Sequence, residues 1–161
     1  MGMDVYGENP KIRKESANVL FNSIPQNEDW FDKWNRLSED KKNEYFEAKQ
    51  KHEDNNPGIY FRNNVWWWTP LWDYVHSICD DFITDGRFHA GHNNSGHSFT
   101  SEEAKKIAAR LFKEIKNGDT EAYAKLYEIK TESDEFQYPF NVDNVKAFAE
   151  FCKDSGGFKI C

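Results

Sequence analysis

The chain has 161 residues, a formal net charge of −7, and 38% hydrophobic and 16% aromatic residues. That length suits one domain with a core that needs no metal or disulfide staple, and the aromatic share excludes an intrinsically disordered chain. An acidic chain, with a pI of about 5.3, repels phosphate backbones at long range, which argues against generic nucleic-acid binding.

The acidic residues are interleaved with lysines, as in SEDKK (38–42) and EEAKK (102–106). Nucleic-acid mimicry needs unbroken carboxylate faces, so these runs read as a solvated surface. Cys79, Cys152 and Cys161 form a sparse, odd set without a CxxC pair. No signal-peptide pattern opens the chain and no apolar run approaches membrane-spanning length. The expectation is a cytoplasmic protein with free thiols and no membrane partner.

In chain order, GMDVYG (2–7) predicts a short extended segment ended by Gly7 and Pro10, and NVLFNSI (18–24) a second one stopped at Pro25. Residues 29–52 are charged and helical. Trp30, Phe31, Trp34 and Leu37 give one apolar stripe, and Ser38 caps a second helix carrying Tyr45, Phe46 and Ala48. Its weak amphipathicity predicts a surface helical insertion over 29–52. EDNNPG (53–58) is a turn cluster, and 60–65 reads as a short strand or an irregular loop. Thr69 as N-cap and Pro70 at N1 predict a helix from Leu71 to about Ile83, with Leu71, Val75, Ile78 and Phe82 inward and Asp85–Gly86 as its end.

GRFHAGHNNSGHS (86–98) predicts a loop by composition. Thr100 and Glu103 form a capping box for a helix over Ser101–Lys116, whose core stripe is Ala104, Ile107, Ala108, Leu111, Phe112 and Ile115. Gly118 stops it and Asp119 caps the next helix, with Ala122, Tyr123, Leu126 and Tyr127. Residues 131–140 predict a loop. A last helix over Asp143–Asp154 turns Val145, Phe148, Ala149 and Cys152 inward. After Gly156–Gly157, FKIC (158–161) predicts a short strand beside Met3–Tyr6. The sum is an α+β fold, a helix-rich single domain over 1–161 with a small antiparallel sheet at most.

The stretch YFRNNVWWWTPLW (60–72) carries the first candidate site. In an extended chain Arg62, Asn64, Trp66 and Trp68 share one face. A cation, an amide and two indoles suit a planar anionic ligand: the indoles stack, the guanidinium takes a phosphate or carboxylate, and the amide reads an edge. The same tryptophans also read as core. A second constellation is His89, His92 and His97 with Asn93 and Asn94. Three histidines are enough for zinc, but neither helix-turn nor CxxC spacing is present. The alternative is a polar loop that touches a ligand through His92, Asn93 and Asn94, with Gly91 and Gly96 flanking. No GxxxxGK[ST], GxGxxG or GxSxG occurs. Cys79 and His76, at i and i+3, read as a packed thiol rather than an activated pair.

The motifs MGMDVYG, YFRNNVWWW-x-PLW, GHNNSG, YPFNVDNV and SGGFKIC together resemble a family of small proteins encoded in phage and prophage genomes. The residue before Pro70 is often basic in that pattern and is Thr69 here. The 29–52 segment is an addition relative to shorter members. The resemblance implies a phage-encoded intracellular setting and supplies no reaction.

The leading expectation is a cofactor-free binding protein. Arg62, Asn63, Asn64, Trp66, Trp68, His92, Asn93 and Asn94 are expected to hold a small anionic planar ligand, a nucleotide-type host-defence signal. The alternatives are a metal-assisted hydrolase using His89, His92 and His97, and a module that docks on a host protein.

Overall fold

The computed structural model describes residues 2–24, 30–133 and 138–161. The stop at Pro25, the helical start at Asp29 and the middle of the 131–140 loop lie outside the described residues. In chain order the elements are β1 (Gly2–Gly7), α1 (Val19–Ser23), α2 (Trp30–Asn35), α3 (Glu39–Asn55), β2 (Tyr60–Asn64), α4 (Val65–Cys79), α5 (Asp85–Gly91), β3 (His97–Phe99), α6 (Ser101–Asn117), α7 (Asp119–Thr131), α8 (Val142–Asp154) and β4 (Phe158–Ile160). The fold is helix-rich α+β with one small antiparallel sheet. The chain divides into two compact units, residues 1–11 with 57–161, and residues 12–56.

In the first unit the sheet order is β2-β1-β4-β3. β4 pairs with β1 as the sequence predicts, Val5 opposite Ile160 and Tyr6 opposite Lys159. Met3 and Val5 alternate with Asp4 and Tyr6, so one face of β1 is buried and the other is not. The buried face joins α4, α6 and α8 in one core with Trp68, Trp72, Phe99, Phe148 and Phe158 at its centre. α6 forms as predicted: Thr100 and Glu103 complete the capping box, and Gly118 ends the helix at φ +84°, a conformation that favours glycine. Gly118 also occupies the N-cap position of α7, which makes Asp119 its first helical residue rather than its cap.

α4 corrects the sequence reading. The helix begins at Val65, capped by Asn64, whose side chain accepts from the Trp67 N–H, and Pro70 lies inside it. An internal proline costs about 3 kcal/mol. Starting early places Trp68, Leu71, Trp72, Val75 and Cys79 on one buried stripe. Burying a single indole of 150–250 Å² contributes roughly 4–6 kcal/mol at about 25 cal/mol per Å², so the tryptophans outweigh the proline. The predicted loop at 86–98 is corrected too. Its first half is α5, and its last two residues, His97 and Ser98, begin β3 and pair with Ile160 and Lys159 of β4. Two indole N–H groups fix α5: Trp68 Nε1 donates to the Gly91 carbonyl at 2.9 Å and Trp72 Nε1 to that of Phe88 at 3.0 Å. Arg87 ties the same helix to Glu103 of α6 through two hydrogen bonds, at 2.6 and 3.0 Å.

The second unit contains α1, α2 and α3, so the 29–52 segment lies within it. Residues 19–23, read as extended, form one helical turn because the Asn18 side chain accepts from the Phe21 N–H at 2.8 Å. Ser38 caps α3 as predicted. Phe21 and Trp34 both pack on Tyr45, with ring centroids at 5.5 and 5.3 Å. Asn56 is fully buried and closes the unit. Its Oδ1 accepts from the N–H groups of Arg13 and Lys14 at 2.6 and 2.9 Å, and its Nδ2 donates to the Lys14 and His52 carbonyls at 2.8 and 2.7 Å.

The indole pair makes opposite predictions for two glycines of one helix. A Cβ on Gly91 would stand 2.3 Å from Trp72 Nε1, whereas one on Gly86 meets nothing within 4 Å. Gly91→Ala is expected to destabilise by about 1–3 kcal/mol through displacement of a packed indole, a fall of roughly 3–10 °C in Tm. Gly86→Ala is expected to be neutral or to stabilise by up to about 1 kcal/mol. Calorimetric melting of both variants checks the pair.

Candidate functional site

The face of the sheet turned away from the core is the candidate site. Strand parity and register lay its residues out in two cross-strand rows. One row is Tyr60, Tyr6, Lys159 and Ser98, from the pairings Tyr6–Tyr60, Tyr6–Lys159 and Ser98–Lys159. The other runs from Arg62 to Asp4 and on to Cys161, whose backbone exchanges N–H···O bonds of 3.0 and 2.7 Å with that of Asp4. None of these residues is buried, while their neighbours Met3, Val5, Phe99, Phe158 and Ile160 are.

Asp4 organises this face. The Tyr60 hydroxyl donates a short hydrogen bond to Asp4 Oδ1, and Arg62 Nε stands 3.5 Å from the same oxygen. Burial, and then the bond to Asp4, push the Tyr60 hydroxyl up to about 12. The Arg62 side chain remains 63% exposed, and Tyr6 is 48% exposed with its ring centroid 5.2 Å from that of Tyr60. Lys159 runs past Gly96, where an added Cβ would meet its Cε at 2.6 Å. The face therefore offers aromatic surface with a guanidinium and an ammonium around it.

The structure brings together only part of the predicted set. Arg62 and Asn94 meet through Gly2: Asn94 Nδ2 donates to the Gly2 carbonyl at 3.1 Å, and a Cβ on Gly2 would lie 3.4 Å from Arg62 Nε. Trp68 is fully buried, and its N–H is spent on Gly91, so it is core and not ligand wall. The shared face proposed for Arg62, Asn64, Trp66 and Trp68 fails because strand becomes helix at Val65 and the side-chain period changes from two to 3.6 residues. Trp66 is exposed on α4, edge-on to Tyr138 at 5.0 Å. Asn64 is spent as the α4 cap, and Asn63 donates to Asn144 at 3.0 Å. His92 Nε2 stands 3.3 Å from Asp73 Oδ1, and Asn93 donates to the His89 carbonyl at 3.0 Å.

The three histidines do not converge. Arg87 Nε donates to His97 Nε2 at 3.3 Å, His92 faces Asp73, and the His89 ring lies 5.5 Å from that of Phe88. Burial, and then Arg87, hold His97 below the ordinary imidazole range. Among the described residues no group of three or more His, Cys, Asp or Glu is placed to hold a metal ion. Burial pushes the Cys79 thiol up to about 11 and that of Cys152 well above its ordinary value, which suppresses the nucleophilic thiolate. No helix among the described residues is long and apolar enough to cross a membrane.

Sequence reasoning missed Asp4, Tyr6, Tyr60 and Lys159 as site residues. The signal was the alternation in GMDVYG, which sets Asp4 and Tyr6 on the face opposite Met3 and Val5.

The Asp4–Tyr60 bond carries a pH dependence. A hydroxyl whose folded value is raised contributes stability that is complete below the ordinary tyrosine value near 10 and is lost as pH rises through about 12. Absorbance titration of the phenolate is expected to show a late-ionising tyrosine that Tyr60→Phe deletes. Asp4→Asn should move it only part of the way back, because burial is the larger cause. No family model, curated protein or solved structure matches this chain, so its function is argued from this geometry.

Proposed function

We propose that the chain is a binding protein that holds a small, planar, anionic molecule of nucleotide type on the outward face of its sheet. The observation that carries this reading is the placement of exposed Arg62 and Lys159 around the Tyr6–Tyr60 pair. A ring laid on an aromatic side chain gains about 1–3 kcal/mol per base. The Arg62 fork takes a phosphate or carboxylate, and Lys159 adds a mobile point charge. Asp4 orients the Tyr60 hydroxyl and the Arg62 Nε before any ligand arrives, which lowers the ordering cost of binding. The chain's charge of −7 disfavours long polyanions, while a local pair of cations still receives a small anion.

Binding fits the geometry better than turnover does. The histidines are engaged with separate partners, and the two helical cysteines are sealed in the core. In the phage setting that the sequence resemblance implies, a chain made in stoichiometric amounts removes a host-defence signal without any catalytic step.

The test is calorimetry and thermal shift with a panel of nucleotides and cyclic dinucleotides. A true ligand at a hundred times its Kd stabilises by about 2.7 kcal/mol, a rise of roughly 5–10 °C in Tm. Arg62→Ala, Lys159→Ala and Tyr6→Ala are each expected to weaken binding about tenfold, the loss of one contact of roughly 1.4 kcal/mol, and Trp66→Ala to leave it unchanged. Absence of binding across the panel, or binding indifferent to Arg62 and Tyr6, removes the reading.

A further inference from the structure

The outward face of the sheet has an order along it as well as a composition. The outward positions of β1 are Tyr6, Asp4 and Gly2 in turn, each step about 7 Å at 3.4 Å per residue. Tyr6 and Tyr60 supply aromatic surface at one end. Both cations lean away from it. A Cβ on Gly2 would lie 3.4 Å from Arg62 Nε and 3.5 Å from Arg62 Nη2, so the guanidinium reaches past Asp4 to the Gly2 position. Lys159 leaves the tyrosine row on a diagonal, and its Nζ would stand 3.3 Å from a Cβ on Gly96. Gly96 bonds the Ile160 carbonyl and continues β3 opposite Cys161, which places it in the row of Asp4. Asp4 therefore stands between the rings and the guanidinium.

The Asp4 carboxylate is only half used. The Tyr60 hydroxyl donates to Oδ1, and Arg62 Nε approaches the same oxygen. Among the described residues no donor meets Oδ2. The side chain is 29% exposed, so that oxygen is open to a ligand. An ionised carboxylate accepts and never donates. Placed inside an anion site, it repels charge and favours a neutral group that carries a hydroxyl or N–H. In a nucleotide read from base to phosphate, the neutral middle is the sugar, and its hydroxyls are donors.

We propose that Asp4 Oδ2 accepts a hydrogen bond from the ribose 2′-hydroxyl, so that the face selects ribonucleotides over 2′-deoxyribonucleotides. This rests on the reading of the face as a nucleotide site. The base lies on Tyr6, the sugar over Asp4, and the phosphate between the Arg62 fork and Lys159. Aromatic stacking accepts any base, so the selection falls on the sugar. A carboxylate on the 2′-hydroxyl is a recurrent solution in nucleotide sites, and that hydroxyl is the group by which proteins tell ribose from deoxyribose. Nucleotides esterified at the 3′-oxygen still carry it. A 2′-phosphate has no such donor and sets anion against anion, so it is rejected.

Calorimetry with the adenosine, guanosine, cytidine and uridine 5′-diphosphates and their 2′-deoxy counterparts tests the proposal on the unaltered chain. Each deoxy form is expected to bind about tenfold more weakly than its ribo partner, the loss of one charge-assisted hydrogen bond. Asp4→Ala is expected to bring the ribo-to-deoxy ratio close to one. That ratio separates sugar reading from a structural role, because displacement of Tyr60 or Arg62 weakens both forms alike. Equal binding of the two forms by the unaltered chain overturns the proposal and leaves the nucleotide site standing, as does a ratio that survives Asp4→Ala. Failure of every diphosphate, ribo and deoxy, overturns both.

Discussion

The first unit depends on two indole N–H groups. Trp68 and Trp72 stack at 5.4 Å with their planes 10° apart, and each donates to a carbonyl of α5. A buried indole without an acceptor would forfeit much of what its burial contributes. α5 supplies the acceptors, and the tryptophans give a seven-residue helix the anchorage it lacks by itself. Arg87 completes the fixing from the other side, bonded to Glu103 and lying over the Phe99 ring at 4.4 Å. With α5 held, residues 93–96 are delivered to the end of the sheet, where Asn94 reaches Gly2 and Gly96 bonds Ile160. The tryptophans thus shape the outward face indirectly, from inside the core.

That face is polar because of strand geometry. Successive side chains point to opposite sides, so a strand buried on one side must carry its other residues outward. In β1 the inward residues are Met3 and Val5, and the outward ones are Asp4 and Tyr6. Register then matches Asp4 with Arg62, a charge-paired position, and Tyr6 with both Tyr60 and Lys159. Opposite charges and aromatic pairs across strands each stabilise a sheet modestly. The same residues that hold the strands in register therefore set the aromatic and charged groups of this face, without a dedicated loop.

What could be read from the sequence was local. The Thr100–Glu103 capping box and the α6 stripe depend on residues a few positions apart, and they stand where the pattern puts them, whereas the first half of the 53–58 turn cluster, residues 53–55, instead completes α3. α4 was misplaced because two local rules compete there. Thr69–Pro70 resembles a helix start, yet the i, i+3, i+4, i+7 spacing of Trp68, Leu71, Trp72 and Val75 was the stronger signal, and its strength lies in burial that only the tertiary structure provides. α5 looked like a loop for the same reason: glycine and asparagine set a composition, while tryptophans from another helix set the conformation. In the candidate site Arg62 and Asn94, both legible in the sequence, each lie beside Gly2. Tyr6, Tyr60 and Lys159 come from strands at both ends and the middle of the chain, and their adjacency is a matter of register, which a single sequence does not display.

Asn56 bears on how the chain is assembled. One carboxamide clasps the backbone on both sides of a stretch of more than forty residues, joining Arg13 and Lys14 to the far end of α3. The beginning and end of the second unit are consequently held within the reach of a single side chain. A segment closed at its own neck can grow, shrink or be exchanged in evolution while the strands on either side keep their spacing. The clasp makes residues 12–56 a loop tied off at its own base.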